Sequence, residues 1–526
     1  MEMPNKYNIY TTNTVLKMSL PELNELEPKD LWQNFFFMCG IPHGSGNVTA
    51  IVQALKERAE AAGLKATIEA SSGNLLIVKE ADPGCENAPT VCLQGHCDMV
   101  CSKRATTEHD FLKDPIRPRL EMTDGKLCMY AHGTTLGADN GIGVSTALAI
   151  ACDKTLRTGR IEVLVTVDEE TTMHGVKHMG RDLLEAKYLL NLDSEDLGVV
   201  TIGSAGGFNG NFYFNPATFK TIDCDSCNCL SIEVKGFSGG HSGVDIHHYR
   251  GNAIKIMARI LDIACSLEYQ GKICSIKGGT AHNAIPMDCS ACLCFCGVSQ
   301  AKVTSFISEA RKLAEDLKAE YKTTDSGATI VVHEQSQACH GKCTHALYVS
   351  SRSLVDFLLT CPSQVIRVSQ DVEGLTESSM NLGKVRFNAE NLPESYIVTL
   401  SRSSVNSYLD ANDKMLAGLA RMARIFKYSG KLDPYGGWTP NPHSKLLEIC
   451  KRHYTDALDG KEPLVEAIHA GLECGEIISR YPGMEAISIG PTIRNPHSDS
   501  ELCEVETVLP FYNVVKGIVS EIATLK

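Results

Sequence analysis

Ile161 to Glu170, IEVLVTVDEE, limits what this chain can fold into more than any other stretch. Its first seven residues form a β-branched and aliphatic run broken only by Glu162, the pattern of a strand buried on both faces of a parallel sheet. The run ends in Asp168, Glu169 and Glu170. Ligands of open α/β sheets collect at the carboxyl ends of strands. Three adjacent carboxylates repel one another unless cations or protons compensate them. A solvated acidic turn is the plain alternative. Other strand ends decide between the two, according to whether they supply partners for a cation.

They do so in order. Helical patterning over Leu26–Ala62, with Asn47 or Ser45 placed to cap and Gly63 to terminate it, precedes strand-like pieces at Leu64–Ala70, Leu75–Val78 and Thr90–Gln94. The last of these delivers His96 and Asp98. On an extended chain i and i+2 share a face, and a metal-bound imidazole needs an acceptor for its other N–H. A surface polar pair is the alternative. Leu136–Gly143, LGADNGIG, then opens the apolar helix Val144–Cys152 with Asp139 in its first turn. There the acid could do no more than stabilise the helix dipole. After the central strand, Tyr188–Leu192 forms another apolar run, ending at Asp193. His96, Asp139, Glu169 or Glu170, and Asp193 thus sit at successive strand ends or strand–helix turns. Such a His/carboxylate mixture suits Zn²⁺, Mn²⁺ or Co²⁺ at a working centre better than a structural zinc site. The βα alternation predicts an α/β layer fold.

Composition excludes several classes. At 526 residues the chain is expected to hold two or three domains. A net charge of −13 argues against a nucleic-acid partner. No apolar run is long enough to span a bilayer, so no membrane partner is expected. The first twenty residues lack a basic start and an apolar core. The 22 cysteines therefore predict thiols in a reducing, cytoplasmic setting.

GHCDMV, GADNGIG, TVDEE and NLDSED, in this order, resemble the M20 family of co-catalytic metallopeptidases, and within it the aminoacyl-histidine (Xaa-His, cytosol non-specific) dipeptidase branch. FMCGIPHGSGN, HDFLKDPIRP, SAGG, GGHSGVDIH, AHNAIP, YGGWTPNP, IHAGLECG and GPTIRNPHS extend the resemblance over nearly the whole chain. It implies a mixed-sheet α/β catalytic domain of the phosphorylase/hydrolase-like type, split into residues 1–207 and 433–526, with an inserted α/β lid at 208–432. It further implies two divalent ions, most readily Zn²⁺. His96 and Asp193 would hold one, Glu170 and His497 the other, and Asp139 would bridge them. Asp98 would orient His96. Glu169 would be the general base for the water the ions share, facing away from Glu170 because neighbours on an extended chain point oppositely.

From the lid, His241 would stabilise the oxyanion, while Asn283 and Arg402 would hold the substrate's backbone and carboxylate. The stretch His469–Glu473 would line the pocket, His469 and Gly471 binding substrate and the glycine letting a peptide end come close. After His497 the family's Pro-Asp is replaced by Asp499-Ser500, expected to loosen the turn that presents His497; Ser498 and Glu501 alone read as a capping box. The tail Thr507–Leu525 reads as an amphipathic closing helix. The CxxC spacings of Cys224, Cys227 and Cys229 and of Cys289, Cys292, Cys294 and Cys296 admit a thiolate site, but Cys292, Cys294 and Cys296 alternate along a strand as small buried hydrophobes do. They are left out of the expected site.

The expected activity is hydrolysis of unsubstituted dipeptides, including Xaa-His, by a cytoplasmic enzyme that could form a homodimer. Its rivals are an M20 aminoacylase, tripeptidase or carboxypeptidase, which share every ligand, and a catalytically silent scaffold, which a missing base or ligand would signal.

Overall fold

The computed structural model describes residues 20–224, 228–333 and 343–525. Cys227 and most of the opening stretch lie outside them. Two sheets organise the described chain. The first runs, in spatial order, Lys65–Ile68, Leu75–Lys79, Ile161–Thr166, Val91–His96, Tyr188–Asn191, Glu485–Ser488, Val199–Ser204, Leu464–Ile468. Ile161–Thr166 lies antiparallel to Leu75–Lys79 and parallel to Val91–His96, which is itself parallel to Tyr188–Asn191.

Both faces of this sheet are covered, which is why its central strand reads as an unbroken apolar run. Val163, Val165, Leu93 and Leu190 pack with the helices Lys29–Cys39, Thr49–Ala61, Ala138–Cys152 and Val505–Ile522, while Leu164, Cys92 and Leu189 face a smaller core with Cys474 and Ile477. Glu162, the single break in the run, is fully buried. Its carboxylate accepts the backbone N–H groups of Glu185 and Ala186 and pairs with Arg160. The Ala138–Cys152 helix is buried on every side from Asn140 to Ala151, so its polar–apolar periodicity is weak by necessity.

The second sheet is antiparallel, with nine strands from Gly206–Phe214 to Phe426–Tyr435. Helices Ala253–Ala264, Gln300–Glu320, Tyr348–Thr360 and Asn406–Ala423 contribute to a separate core on one of its faces.

The helical patterning over Leu26–Ala62 resolves into two helices, Lys29–Cys39 and Thr49–Ala61, separated by the loop 40–48. Neither Asn47 nor Ser45 caps the second; Val48 holds that position without a side-chain bond, and Ser45 donates to Asp98 instead. Gly63 does follow the helix, at φ +90°. The closing helix begins earlier than expected, at Val505, directly after the Leu502–Glu504 strand.

Candidate metal centre and substrate cleft

Register places the first cluster. His96 ends its strand opposite Thr166, and Gln94 lies opposite Asn191. His96, the acidic turn and Asp193 therefore leave three neighbouring parallel strands at one edge. Asp139 arrives from the loop opening the Ala138–Cys152 helix, and His497 from the turn before the last strand.

Asp139 is the hub. Its Oδ1 lies 3.2 Å from His96 Nε2 and its Oδ2 3.1 Å from His497 Nε2. Asp193 Oδ1 is 3.3 Å from His96 Nε2, and Glu170 Oε2 is 3.0 Å from His497 Nε2. Donor atoms of His96, Asp139 and Asp193 fall within 4.8 Å of one another, as do those of Asp139, Glu170 and His497, and those of His96, Glu169 and Glu170.

The electrostatics describe a site short of positive charge. Burial, together with the charges of Asp139 and Glu170, pushes Asp193 up to about 7 against the pull of His96. Burial likewise raises Glu169 well above the usual carboxylate range, and neighbouring Asp193, Glu473 and Glu170 add to it. Burial would raise Asp139 too, but its hydrogen bonds to His497 and His96 win and hold it low. The bonds to Asp139 and Glu170 push His497 up to about 11. Protons on the two imidazoles thus stand where cations would. Glu170 Oε1 and Asp193 Oδ1 are buried without a hydrogen-bond partner. Partly buried carboxylates, the buried imidazole of His96 and the half-exposed one of His497, with orphaned oxygens among them, fit divalent cations.

Supporting contacts differ from expectation in instructive ways. Asp98 lies past the end of its strand. His96 Nδ1 meets the Asp98 backbone carbonyl at 3.0 Å and its carboxylate only at 3.6 Å. The Asp98 carboxylate instead accepts the backbone N–H groups of Glu169 and Glu170, at 3.0 and 3.3 Å, and the Ser45 hydroxyl. Glu169 and Glu170 open a short helical turn, Glu169–Thr172. They diverge by roughly the 100° step of a helix, not the alternation of an extended chain.

Ser498 and Glu501 form no capping box. Ser498 Oγ bonds Asn495 O and the Ser500 hydroxyl, so the turn behind His497 is closed by the residue that replaced the family's acid. Glu501 reaches away to accept the backbone N–H groups of Leu136, Gly137, Ala138 and Asp139 at 2.8–3.3 Å. Sequence reasoning gave it no such part, and placed Glu473 only at the end of the pocket-lining stretch His469–Glu473, with no role of its own. Fully buried, Glu473 accepts from Gln94 Nε2 and Thr166 Oγ1 beneath the cluster, and burial lifts it to about 7. An acid opening the short helix Glu473–Arg480, just past an apolar strand, was the only signal for it.

The second cluster belongs to the other sheet. Arg402 is 6% exposed and pairs with no carboxylate among the described residues. Its Nη1 donates to Tyr435 Oη at 2.8 Å, Nη2 sits 3.4 Å from His241 Nε2, and Nε has no partner. His469 Nε2 meets Ser379 Oγ at 2.7 Å, and burial with the Arg402 charge holds the imidazole down at about 3. His241 is lowered by the same causes. The Asn283 backbone carbonyl accepts the Ser242 N–H, and the Asn283 side chain borders a cavity of about 760 Å³ shared with His241. A second cavity, about 550 Å³, is lined by Gly243, His247, Thr376, Glu466 and His469.

Gly471 joins the two clusters. A Cβ there would stand 3.0 Å from the Tyr435 ring and 3.7 Å from Met173, the residue after the Glu169–Thr172 turn. The close approach it permits here is that of the tyrosine holding Arg402. The segment His469–Glu473 thus carries one end to Arg402's surroundings and the other beneath His96.

Comparison with known proteins agrees with this geometry. The pattern of "Peptidase family M20/M25/M40" matches residues 92–521. A cytosol non-specific dipeptidase of Escherichia coli K12 is 36% identical over 510 residues, covering 96% of this chain and 99% of that protein. The crystal structure of an aminoacylhistidine dipeptidase from Vibrio alginolyticus superposes with a TM-score of 0.84 at 34% identity, covering 95% of this chain and 98% of that one. An aminopeptidase PepT from Bacillus cereus, at 16% identity, a TM-score of 0.54 and coverage of 95% and 100%, shares the fold.

Proposed function

The chain belongs to peptidase family M20/M25/M40, and from that premise we propose that it hydrolyses unsubstituted dipeptides, Xaa-His among them, at the carboxylate–histidine cluster. The observation that carries the reading is Asp139, bonded through one oxygen to each of two histidines that are themselves flanked by Asp193 and Glu170. In this reading His96 and Asp193 hold one divalent ion, Glu170 and His497 a second, and Asp139 both. Zn²⁺ suits these donors first, with Mn²⁺ or Co²⁺ next. When bound, such a pair lowers the pKa of a water and polarises a carbonyl.

The chain's own side chains do the rest. Glu169, half-buried beside His96, accepts the proton of the attacking water and returns it to the leaving amine. Asp98 fixes Glu169 and Glu170 through their backbone N–H groups. Arg402, a buried cation lacking a carboxylate, takes the peptide's terminal carboxylate. His241, beside it, is the donor for the developing oxyanion, and Asn283 steadies the substrate backbone. His469, neutral and tied to Ser379, shapes the cleft. Gripping both ends of a short substrate between two clusters favours dipeptides. The names borne by the relatives at 36% and 34% identity support that substrate class and a cytosolic setting. In domain terms we take 208–432 as the lid and the flanking residues as the catalytic body.

A substrate panel tests this. The purified chain is expected to cleave α-dipeptides and β-alanyl-histidine, to lose turnover on chelation and to regain it with Zn²⁺, Mn²⁺ or Co²⁺. Cleavage confined to a tripeptide or to an N-acetyl amino acid would replace the dipeptidase reading with one of its family rivals.

A further inference from the structure

The second sheet carries a group of thiols that the peptidase reading does not use. The strand Cys289–Cys294 sends Cys289, Ala291 and Leu293 into the aliphatic core shared with the helices, and Cys292 and Cys294 to the opposite face. Along the rest of that face the neighbouring strand Cys229–Lys235 presents Ser231, Glu233 and Lys235. At one end of it the side chains change to sulfur. Cys229 lies directly opposite Cys294, and Cys274 occupies an irregularity in the strand Lys272–Gly278. The two-stranded ribbon of Thr221–Cys224 with Cys343–Ala346 adds Cys343, paired in register with Cys224.

The result is a buried cluster of Cys229, Cys274, Cys292, Cys294 and Cys343, rimmed by Cys224 and Cys296, without one aliphatic member. Sγ atoms of Cys229, Cys294 and Cys343 lie within 4.8 Å of one another. Tetrahedral zinc with Zn–S near 2.3 Å puts its sulfurs about 3.8 Å apart. Cys274, set in the irregularity of its strand, belongs to the same buried cluster. At the rim, Cys224, Cys296 and His345 form a second trio within the same limit, the two sulfurs 3.1 Å apart. Alternation along one strand suggested small buried hydrophobes; five strands converging sulfur on sulfur do not. A satellite core of that size would gain more from valine or leucine, which bury more apolar surface.

We propose that Cys229, Cys294 and Cys343, with Cys274 as fourth donor, form a structural thiolate site for Zn²⁺ that pins the ribbon to the sheet. Each ligating thiol gives up its proton on binding, so the site loads as a thiolate set and its ion is held without an open position. The inference is independent of the dipeptidase reading, because it uses none of the same residues.

Cobalt distinguishes the two centres. The full chain, loaded with Co²⁺, is expected to show thiolate-to-metal charge-transfer absorption in the near ultraviolet, which imidazole and carboxylate donors cannot produce. The band should persist in Asp139→Asn and vanish in Cys294→Ser. Absence of the band from the wild type, or its survival in Cys294→Ser, would overturn the site. Should Cys294→Ser fail to fold, the wild-type chain decides through titration with an organomercurial beside a chromophoric zinc indicator. Release of about one equivalent of zinc per chain in step with thiol modification is expected. No release would leave a dry thiol packing cluster only.

Discussion

Asp139 gives one oxygen to each of two histidines, and among the described residues no other side chain hydrogen-bonds to both. Glu169 differs from its neighbours in the opposite sense: its donor atom groups with those of His96 and Glu170, but no histidine pairs with it among the described residues. A half-buried carboxylate, raised by desolvation and its acidic neighbours and paired with no histidine, is suited to taking up a proton. Glu169→Gln should therefore keep the wild-type metal content and lose turnover by a factor on the order of 10²–10⁴. Activity within a few-fold of wild type would remove it from that role. His469 offers a test through stability. In the folded chain, burial and Arg402 hold it down at about 3, so it stays neutral, whereas unfolded it protonates near the ordinary 6.5. The unfolded form then binds the extra proton as pH falls from 6.5 towards 3, and stability is lost in that window by up to about 1.4 kcal/mol per pH unit. Thermal melts between pH 7 and 5 should show a shallower decline in His469→Gln than in the wild type; identical slopes would mean that His469 is not held neutral.

At the scale of elements, the centre is assembled by strand ends and kept in place by tethers from afar. Glu501 binds four consecutive backbone N–H groups of the loop 136–139, a task for two carboxylate oxygens that an amide, with a donor at one end, cannot repeat. Glu501→Gln should weaken metal binding about 10–100-fold, as loss of an outer support does, read by competition with a chelator. Unchanged affinity would make the tether irrelevant to the centre. This tether also marks where the sequence stops being legible. His96, Asp139, Glu170 and Asp193 could be picked out because each punctuates an apolar strand or opens an apolar helix. His497 has no such frame and came from the resemblance alone. Glu473 and Glu501 act on segments more than 300 residues distant, beyond any local pattern. The same limit explains Ser45, a reasonable helix cap in sequence that is recruited by Asp98 in space, and the thiols, whose alternation along one strand was visible while their convergence from five was not.

At the scale of the molecule, two sheets with separate cores supply two clusters of different chemistry: an anionic one at the edge of the parallel strands and a cationic one around Arg402. The segment His469–Glu473 runs between them, from Ser379 at one end to Gln94 at the other, with Gly471 leaving room for Tyr435. That arrangement suits the proposed substrate, a short peptide with a free carboxylate. Its foundation is the claim that two ions share Asp139. The most direct measurement is the metal content of wild-type and Asp139→Asn protein, purified alike and read by elemental mass spectrometry, alongside dipeptide turnover. The variant should lose about two divalent ions per chain relative to wild type, together with its activity. Loss of one ion alone, or turnover retained, would contradict the bridging role.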